Sequence, residues 1–224
     1  MYQDLKNNID FFIRNKTQIS RKNFVERNPE LINRNVQENN YIYDILNQCF
    51  EKKHLEDVKI LDIGSKNFFY AAGLHRYFSE YCQNFVIDGI EIDAHRLYAN
   101  FYSRYEVAKY YIKNFNNINY ITGNVLDLNK KYDYITWFLP FVLEYPHIKW
   151  GLPKRYFYPE KVLSHVLRLL KDNGQLLIIN QGENEANAQE ELLNKLRVSY
   201  KKLGLIKNEK FKYKNERYVF LITH

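Results

Sequence analysis

From residue 58 onward, short runs of β-branched and apolar residues alternate with longer segments whose apolar side chains recur every three or four positions. That alternation constrains the fold more than any other feature of the chain. The first run, Val58-Lys59-Ile60-Leu61-Asp62-Ile63, stops at Gly64, and the residues up to Phe78 return to helical spacing. The same pattern predicts strands over residues 85–92, 118–122, 132–138 and 175–180, the last of them after the turn Asp172-Asn173-Gly174. Helices are predicted over 94–115 and 159–170. Strands alternating with helices imply a parallel sheet covered on both faces, an α/β doubly wound architecture. Upstream, residues 3–53 keep helical spacing throughout, as in Tyr41, Ile42, Ile45, Leu46 and Cys49, with room for two or three helices. The polar stretch 51–57 is the expected boundary of this N-terminal extension.

The end of the chain breaks the alternation. After a predicted helix over 186–203, two strand-like runs, 206–213 and 217–223, are separated only by Lys214-Asn215-Glu216. So short a connection cannot cross over to a parallel neighbour and predicts a hairpin. An open parallel sheet whose last strand is antiparallel is an uncommon arrangement.

At 224 residues the chain has room for one domain plus decoration. Its 46% apolar and 26% charged residues exclude wholesale disorder and fibrous repeats. Cys49 and Cys82 are too few for a disulfide framework and lack zinc-site spacing, which predicts a reducing compartment and no metal. No apolar run approaches about 18 residues, and the first residues lack the layout of a signal peptide, so a cytoplasmic protein without membrane contact is expected. The formal charge of +7 permits an anionic partner. Basic residues outnumber acidic ones nine to two over 192–224 and six to one over 149–171, which makes those stretches the candidates if nucleic acid binds.

The predicted strand ends carry the chemistry. Asp62-Ile63-Gly64-Ser65-Lys66-Asn67 closes the first strand at the sheet edge where such folds bind ligands, and Gly64 lets the backbone approach a ligand closely. The dinucleotide fingerprint G-x-G-x-x-G is missing, which weakens an NAD-dependent oxidoreductase reading. Gly89-Ile90-Glu91-Ile92-Asp93 closes the second strand, and a carboxylate there can accept hydrogen bonds from both hydroxyls of a ribose. Glu91 suits that role, whereas Asp93 suits capping of the helix predicted from Ala94. Gly123-Asn124-Val125 closes the third strand, with Asn124 either reading a purine amino group or serving the turn.

Together these residues resemble the class I S-adenosylmethionine-dependent methyltransferases. The resemblance runs over about residues 56–224, with residues 1–55 as the helical extension. It rests on 58–65, 89–93 and 123–124, on Tyr132-Asp133-Tyr134-Ile135, on Leu169-Leu170-Lys171-Asp172-Asn173-Gly174-Gln175-Leu176 and on the closing hairpin. It implies a seven-stranded sheet of order 3-2-1-4-5-7-6 with only the last strand antiparallel. It also implies S-adenosylmethionine as cofactor and S-adenosylhomocysteine as product. By position, Asp62, Gly64 and Ser65 would contact the methionine part and Glu91 the ribose. Ile92 and Val125 would sandwich the adenine, whose amino group Asn124 would read. The family's G-x-G-x-G turn is altered, because Lys66 and Phe68 stand where the second and third glycines belong. Asn67 can adopt a left-handed backbone and keep such a turn possible, and Lys66 either pairs with the cofactor carboxylate or points to water.

The acceptor side is expected in the loop after the fourth strand, Trp137-Phe138-Leu139-Pro140-Phe141. Phe138 cannot accept a hydrogen bond from an amino group as the [D/N]-P-P-[Y/F/W] motif of DNA amino-methylases does, which makes Phe138, Pro140 and Phe141 a hydrophobic or stacking platform. His147 and Glu144 are the candidate general bases. Lys154 and Arg155, interleaved with Trp150, Tyr156 and Tyr158, could hold phosphate while a base stacks, so RNA and a small molecule both stand as acceptors. The alternative is a non-catalytic binding protein that keeps the methyltransferase fold.

Overall fold

A computed structural model describes residues 29–51, 55–98, 101–205, 208, 211, 213 and 215–223. Helix α1 (Pro29–Cys49) precedes strand β1 (Leu55–Ile63) and helix α2 (Ala71–Tyr81). Strand β2 (Cys82–Glu91), helix α3 (Arg104–Ile112) and strands β3 (Ile118–Thr122) and β4 (Tyr132–Phe138) follow. Helices α4 (Glu144–Lys149) and α5 (Pro159–Leu169) lead to β5 (Leu170–Gln181), α6 (Gly182–Lys195), β6 (Lys201–Leu205) and β7 (Arg217–Thr223).

The seven strands form one sheet in the order β3-β2-β1-β4-β5-β7-β6, in which β7 alone runs antiparallel, pairing with β5 on one side and β6 on the other. The sheet order and the antiparallel final strand agree with the sequence-based expectation. β1 pairs in parallel with both β2 and β4. The direction of winding therefore reverses between β1 and β4, and the crevice outside their carboxyl ends is where an open α/β sheet binds ligands.

Alternation along the strands builds two cores. In β1, Val58 and Ile60 join the side packed under α1 and α2, while Leu61 and Ile63 face the other side with α5 and α6. In β5, Leu177 and Ile179 belong to the first core and Leu176 and Ile178 to the second. Helix α1 is part of this construction: Tyr41, Ile42, Ile45, Leu46 and Cys49 form one apolar stripe of it, and all are buried in the first core. Its seam with α2 is tight. The Asn39 side chain accepts from the Gly73 amide at 2.6 Å and donates to the Phe69 carbonyl at 3.0 Å, while a Cβ on Gly73 would lie 2.4 Å from the Asn39 carbonyl oxygen.

Three expectations are corrected. Residues 94–98 and 101–103 are not helical; α3 starts at Arg104, where the Ser103 side chain accepts from the Glu106 amide and Glu106 answers on the Ser103 amide. That capping box outweighs the helical spacing of Tyr98, Tyr102 and Tyr105. Helix α6 stops at Lys195, with Arg197 in the left-handed region at φ 56°, well before residue 203. The edge strand that pairs with β7 is Lys201–Leu205, and of the expected strand 206–213 the described residues 208, 211 and 213 are not in a strand. Phe211 and Tyr213 instead pack edge-on against Tyr41 of α1, with ring centroids 5.8 and 5.0 Å away. The predicted helices upstream of residue 29 lie outside the described residues.

Candidate functional site

The carboxyl ends of β1 to β5 open into one cavity of about 750 Å³, roofed on one side by α1 and on the other by the segment 139–158. This is the size range of small-molecule and cofactor sites. Gly64, Lys66, Glu91, Ile92, Asn124 and Val125 line it, as do Phe138, Pro140, Phe141 and His147.

The turn after β1 folds back on β2. The amides of Gly64 and Ser65 both donate to the Ile90 carbonyl, at 2.9 and 3.1 Å. Gly64 has φ 72°, and a Cβ there would meet nothing within 4 Å, so its face is open. Lys66 and Phe68 are left-handed, at φ 52° and 49°, whereas Asn67 is not. The two non-glycine residues at the altered positions thus take the backbone that glycine adopts freely, a conformation that costs about 1–2 kcal/mol per residue. Phe68 offsets this by burying its ring on Gly89, where a Cβ would approach the ring to 2.5 Å. The Asn67 Oδ1 is buried without a hydrogen-bond partner among the described residues.

Glu91 is only 6% exposed, and both its oxygens are engaged: Oε1 accepts from the Asp93 amide and Oε2 from the Lys66 amide, each at 2.8 Å. The buried Arg104 guanidinium stands 3.6 Å from Glu91 and 3.1 Å from Asp93. Asp93 also pairs with Arg96 at 2.6 Å, so its expected capping role is replaced by ion pairing. Held this way, the Glu91 carboxylate has a fixed direction and keeps unused lone pairs for further donors.

Asp62 and Ser65, expected beside the ligand, do not line the cavity. Both are fully buried; Asp62 accepts from Tyr70 at 2.7 Å and Thr136 at 2.6 Å, and Ser65 Oγ donates to the Asp62 carbonyl at 2.9 Å. Burial pushes the Asp62 carboxyl up to about 6, against the opposing pull of its hydrogen bonds. Asn124 lines the cavity while its Oδ1 accepts from the Leu126 amide at 3.0 Å, which is the turn role.

The roof segment leaves β4 through Leu139, left-handed at φ 56°, whose amide donates to the Ile179 carbonyl at 2.7 Å. It is fastened to the far side of the crevice at Trp150. That ring receives Lys66 Nζ at 5.3 Å and the Arg104 guanidinium at 4.9 Å, and the Trp150 carbonyl accepts from Arg96. Burial and the neighbouring Arg104 hold the Lys66 ammonium below its usual range. His147 is buried between Phe141 and Phe157, with Nε2 3.0 Å from the Pro153 carbonyl. A carbonyl only accepts, so Nε2 donates and Nδ1 is the acceptor of the neutral ring.

Glu144, Lys154 and Arg155 do not line the cavity. Glu144 and Lys154 pair with each other at 2.9 Å on the outer surface, and Arg155 lies over the Tyr156 ring. Residues to which the sequence assigned no part in the site complete the walls: Arg34, Glu38 and Tyr41 from α1, Tyr70, and Gln181, Glu185, Tyr213 and Arg217 at the β5–β7 end. Only the Arg34/Glu38 spacing of four, which forms an ion pair at 3.3 Å, carried any signal. Among the described residues there is no cluster of three metal-ligating side chains, and no helix is long and apolar enough to cross a membrane.

No family model and no curated protein matches the chain. Solved structures do. A SAM-dependent methyltransferase from Aquifex aeolicus superposes with a TM-score of 0.53 at 15% identity, over 81% of this chain and 87% of that one. A precorrin-6y C5,15-methyltransferase from Geobacter metallireducens gives 0.55 at 14%, over 82% and 87%. A tRNA m1G37 methyltransferase from M. jannaschii gives 0.51 at 12%, over 84% of this chain and 49% of that one. The chain has the fold of the class I S-adenosylmethionine-dependent methyltransferases.

Proposed function

We propose that the chain is a methyltransferase that uses S-adenosylmethionine. The observation that carries this reading is Glu91, a carboxylate fixed by two backbone amides at the end of β2, within the cavity and one strand from the point where the sheet reverses. The residues present fit the cofactor. Glu91 offers acceptors for two ribose hydroxyls, Ile92 and Val125 offer apolar faces for a purine, and the open face of Gly64 leaves room beside the turn. Lys66 supplies a cation for the methionine carboxylate. The sheet order, with its antiparallel β7, also differs from the 3-2-1-4-5-6 order of dinucleotide-binding folds, which disfavours NAD.

When bound, the cofactor supplies an already electrophilic sulfonium methyl, so the protein's task is to orient the acceptor and exclude water. The platform of Phe138, Pro140 and Phe141 and the roof pinned at Trp150 serve those ends. Aromatic faces such as Phe138 and Tyr70 suit a sulfonium charge. Where the acceptor must lose a proton, Glu185, whose carboxyl burial pushes upward, and His147 through Nδ1 are cavity groups able to take it. The pairing of Lys154 with Glu144 spends a cation that an RNA phosphate would need, which favours a small acceptor. Cys49 and Cys82 are free, buried thiols, which suits a reducing, cytoplasmic setting.

Calorimetric titration of the whole chain with S-adenosylmethionine, S-adenosylhomocysteine and NAD tests the reading. Stoichiometric binding of the first two and none of NAD is expected. Binding of none leaves a scaffold that kept only the fold, and binding of NAD alone reverses the assignment.

A further inference from the structure

The end of the cavity away from Glu91 carries a cation that cofactor binding does not use. Arg217 opens β7, opposite Gln181 in the register with β5, and so lies four strand positions from Glu91, about 19 Å along the sheet edge. It is 8% exposed and lines the cavity. Its described acceptors are neutral: Nη1 donates to Gln181 Oε1 at 3.3 Å and to the Asn215 carbonyl at 3.1 Å. None of the ion pairs among the described residues involves Arg217, and Glu185, a carboxylate that acts on it electrostatically after Tyr41 and Tyr213, spends one oxygen on the Gln181 amide at 3.0 Å. A buried cation without an ion-pair partner is costly, and an anion reaching it gains a charge-assisted, two-pronged contact. The approach to Arg217 is aromatic. Tyr213 lies 4.4 Å beneath the guanidinium, and Tyr41 stands edge-on to Tyr213 at 5.0 Å.

We infer that the methyl acceptor is a small, planar apolar molecule bearing a carboxylate or phosphate, and that Arg217 reads this anionic group while the ring lies along Tyr41 and Tyr213. Resting on the methyltransferase reading, the inference names the acceptor's chemical class. An RNA phosphate is disfavoured because Arg217 is buried in the wall behind α1.

The test uses benzoate and phenyl phosphate as anionic probes, with benzyl alcohol and benzylamine as neutral and cationic controls of similar shape. Each is titrated calorimetrically into the whole chain, with and without saturating S-adenosylhomocysteine. One or both anions should bind at least about tenfold more tightly than the controls, and whichever is stronger identifies the carboxylate or phosphate form. Arg217→Gln should lose about tenfold in anion affinity while keeping its affinity for S-adenosylhomocysteine, which also reports folding; Arg217→Lys should lose less. Benzylamine binding as well as the anions, no anion binding to a wild-type chain that binds S-adenosylhomocysteine, or equal anion affinity in folded Arg217→Gln would each overturn the inference. Arg217-dependent anion binding by a chain that ignores S-adenosylhomocysteine would uphold the anion site and remove the methyltransferase reading instead.

Discussion

Tyr70 donates its hydroxyl to the Asp62 carboxylate at 2.7 Å, with Asp62 wholly buried behind the cavity wall. The pairing turns the acid at the end of β1 from a ligand contact into a support for Tyr70, which itself lines the cavity. Thr136 on β4 donates to the other oxygen at 2.6 Å, so one carboxyl joins the two strands that flank the crevice.

That burial predicts a pH dependence of stability. The Asp62 carboxyl sits at about 6 in the folded chain against 3.8 when unperturbed, so the folded state binds more protons between those values. Its contribution is present in full below about pH 4 and is lost as pH rises through 6, a difference of about 3 kcal/mol. Asp62→Asn, which keeps both shape and an acceptor, should flatten this trend. Urea midpoints at pH 4.5 and 7.5 should fall further for the wild type than for the variant; equal falls would contradict the assignment.

Much of the frame was readable because strands and their ends follow local rules. β3 and β4 lie where the alternation placed them, and Gly64, Glu91 and Phe138 lie at the edge that the strand order implies. What failed was decided by tertiary contact or by a cap. The aromatic run ending in Tyr213 looked like a strand, but Phe211 and Tyr213 are drawn to Tyr41. The start of α3 was legible in Ser103-x-x-Glu106, a stronger signal than the tyrosine spacing that masked it. Arg217 and Glu38 could not be placed in one cavity from sequence, because only the docking of α1 beside β7 brings them together.

The α1–α2 seam gives a second expectation. Gly73→Ala places a methyl group 2.4 Å from the Asn39 carbonyl oxygen, and both atoms belong to helix backbones that cannot yield locally. A loss of about 1–3 kcal/mol in chemical denaturation should follow. An unchanged midpoint would show that α1 is free to shift.

Lys66 links strain to binding. Lys66→Gly relieves a left-handed backbone at φ 52°, and against the added freedom of glycine in the unfolded chain the net gain in stability should not exceed about 1 kcal/mol. If the ammonium meets the cofactor carboxylate, the same variant should bind S-adenosylmethionine more weakly, by about 1–3 kcal/mol, because the ammonium is partly buried. Tighter binding by Lys66→Gly would mean that the side chain obstructs the site.

The most direct measurement compares S-adenosylhomocysteine affinity in the wild type and in Glu91→Gln. Glutamine keeps an acceptor oxygen for one of the two backbone amides that Glu91 now holds and turns an NH2 donor to the other, whereas alanine would leave both the Lys66 and Asp93 amides without their partner and confuse binding with folding further. With the circular dichroism spectrum unchanged, the variant should bind about 1.5–3 kcal/mol more weakly, roughly tenfold to a hundredfold. Equal affinity in the two proteins, or no binding by the wild type, would contradict the account.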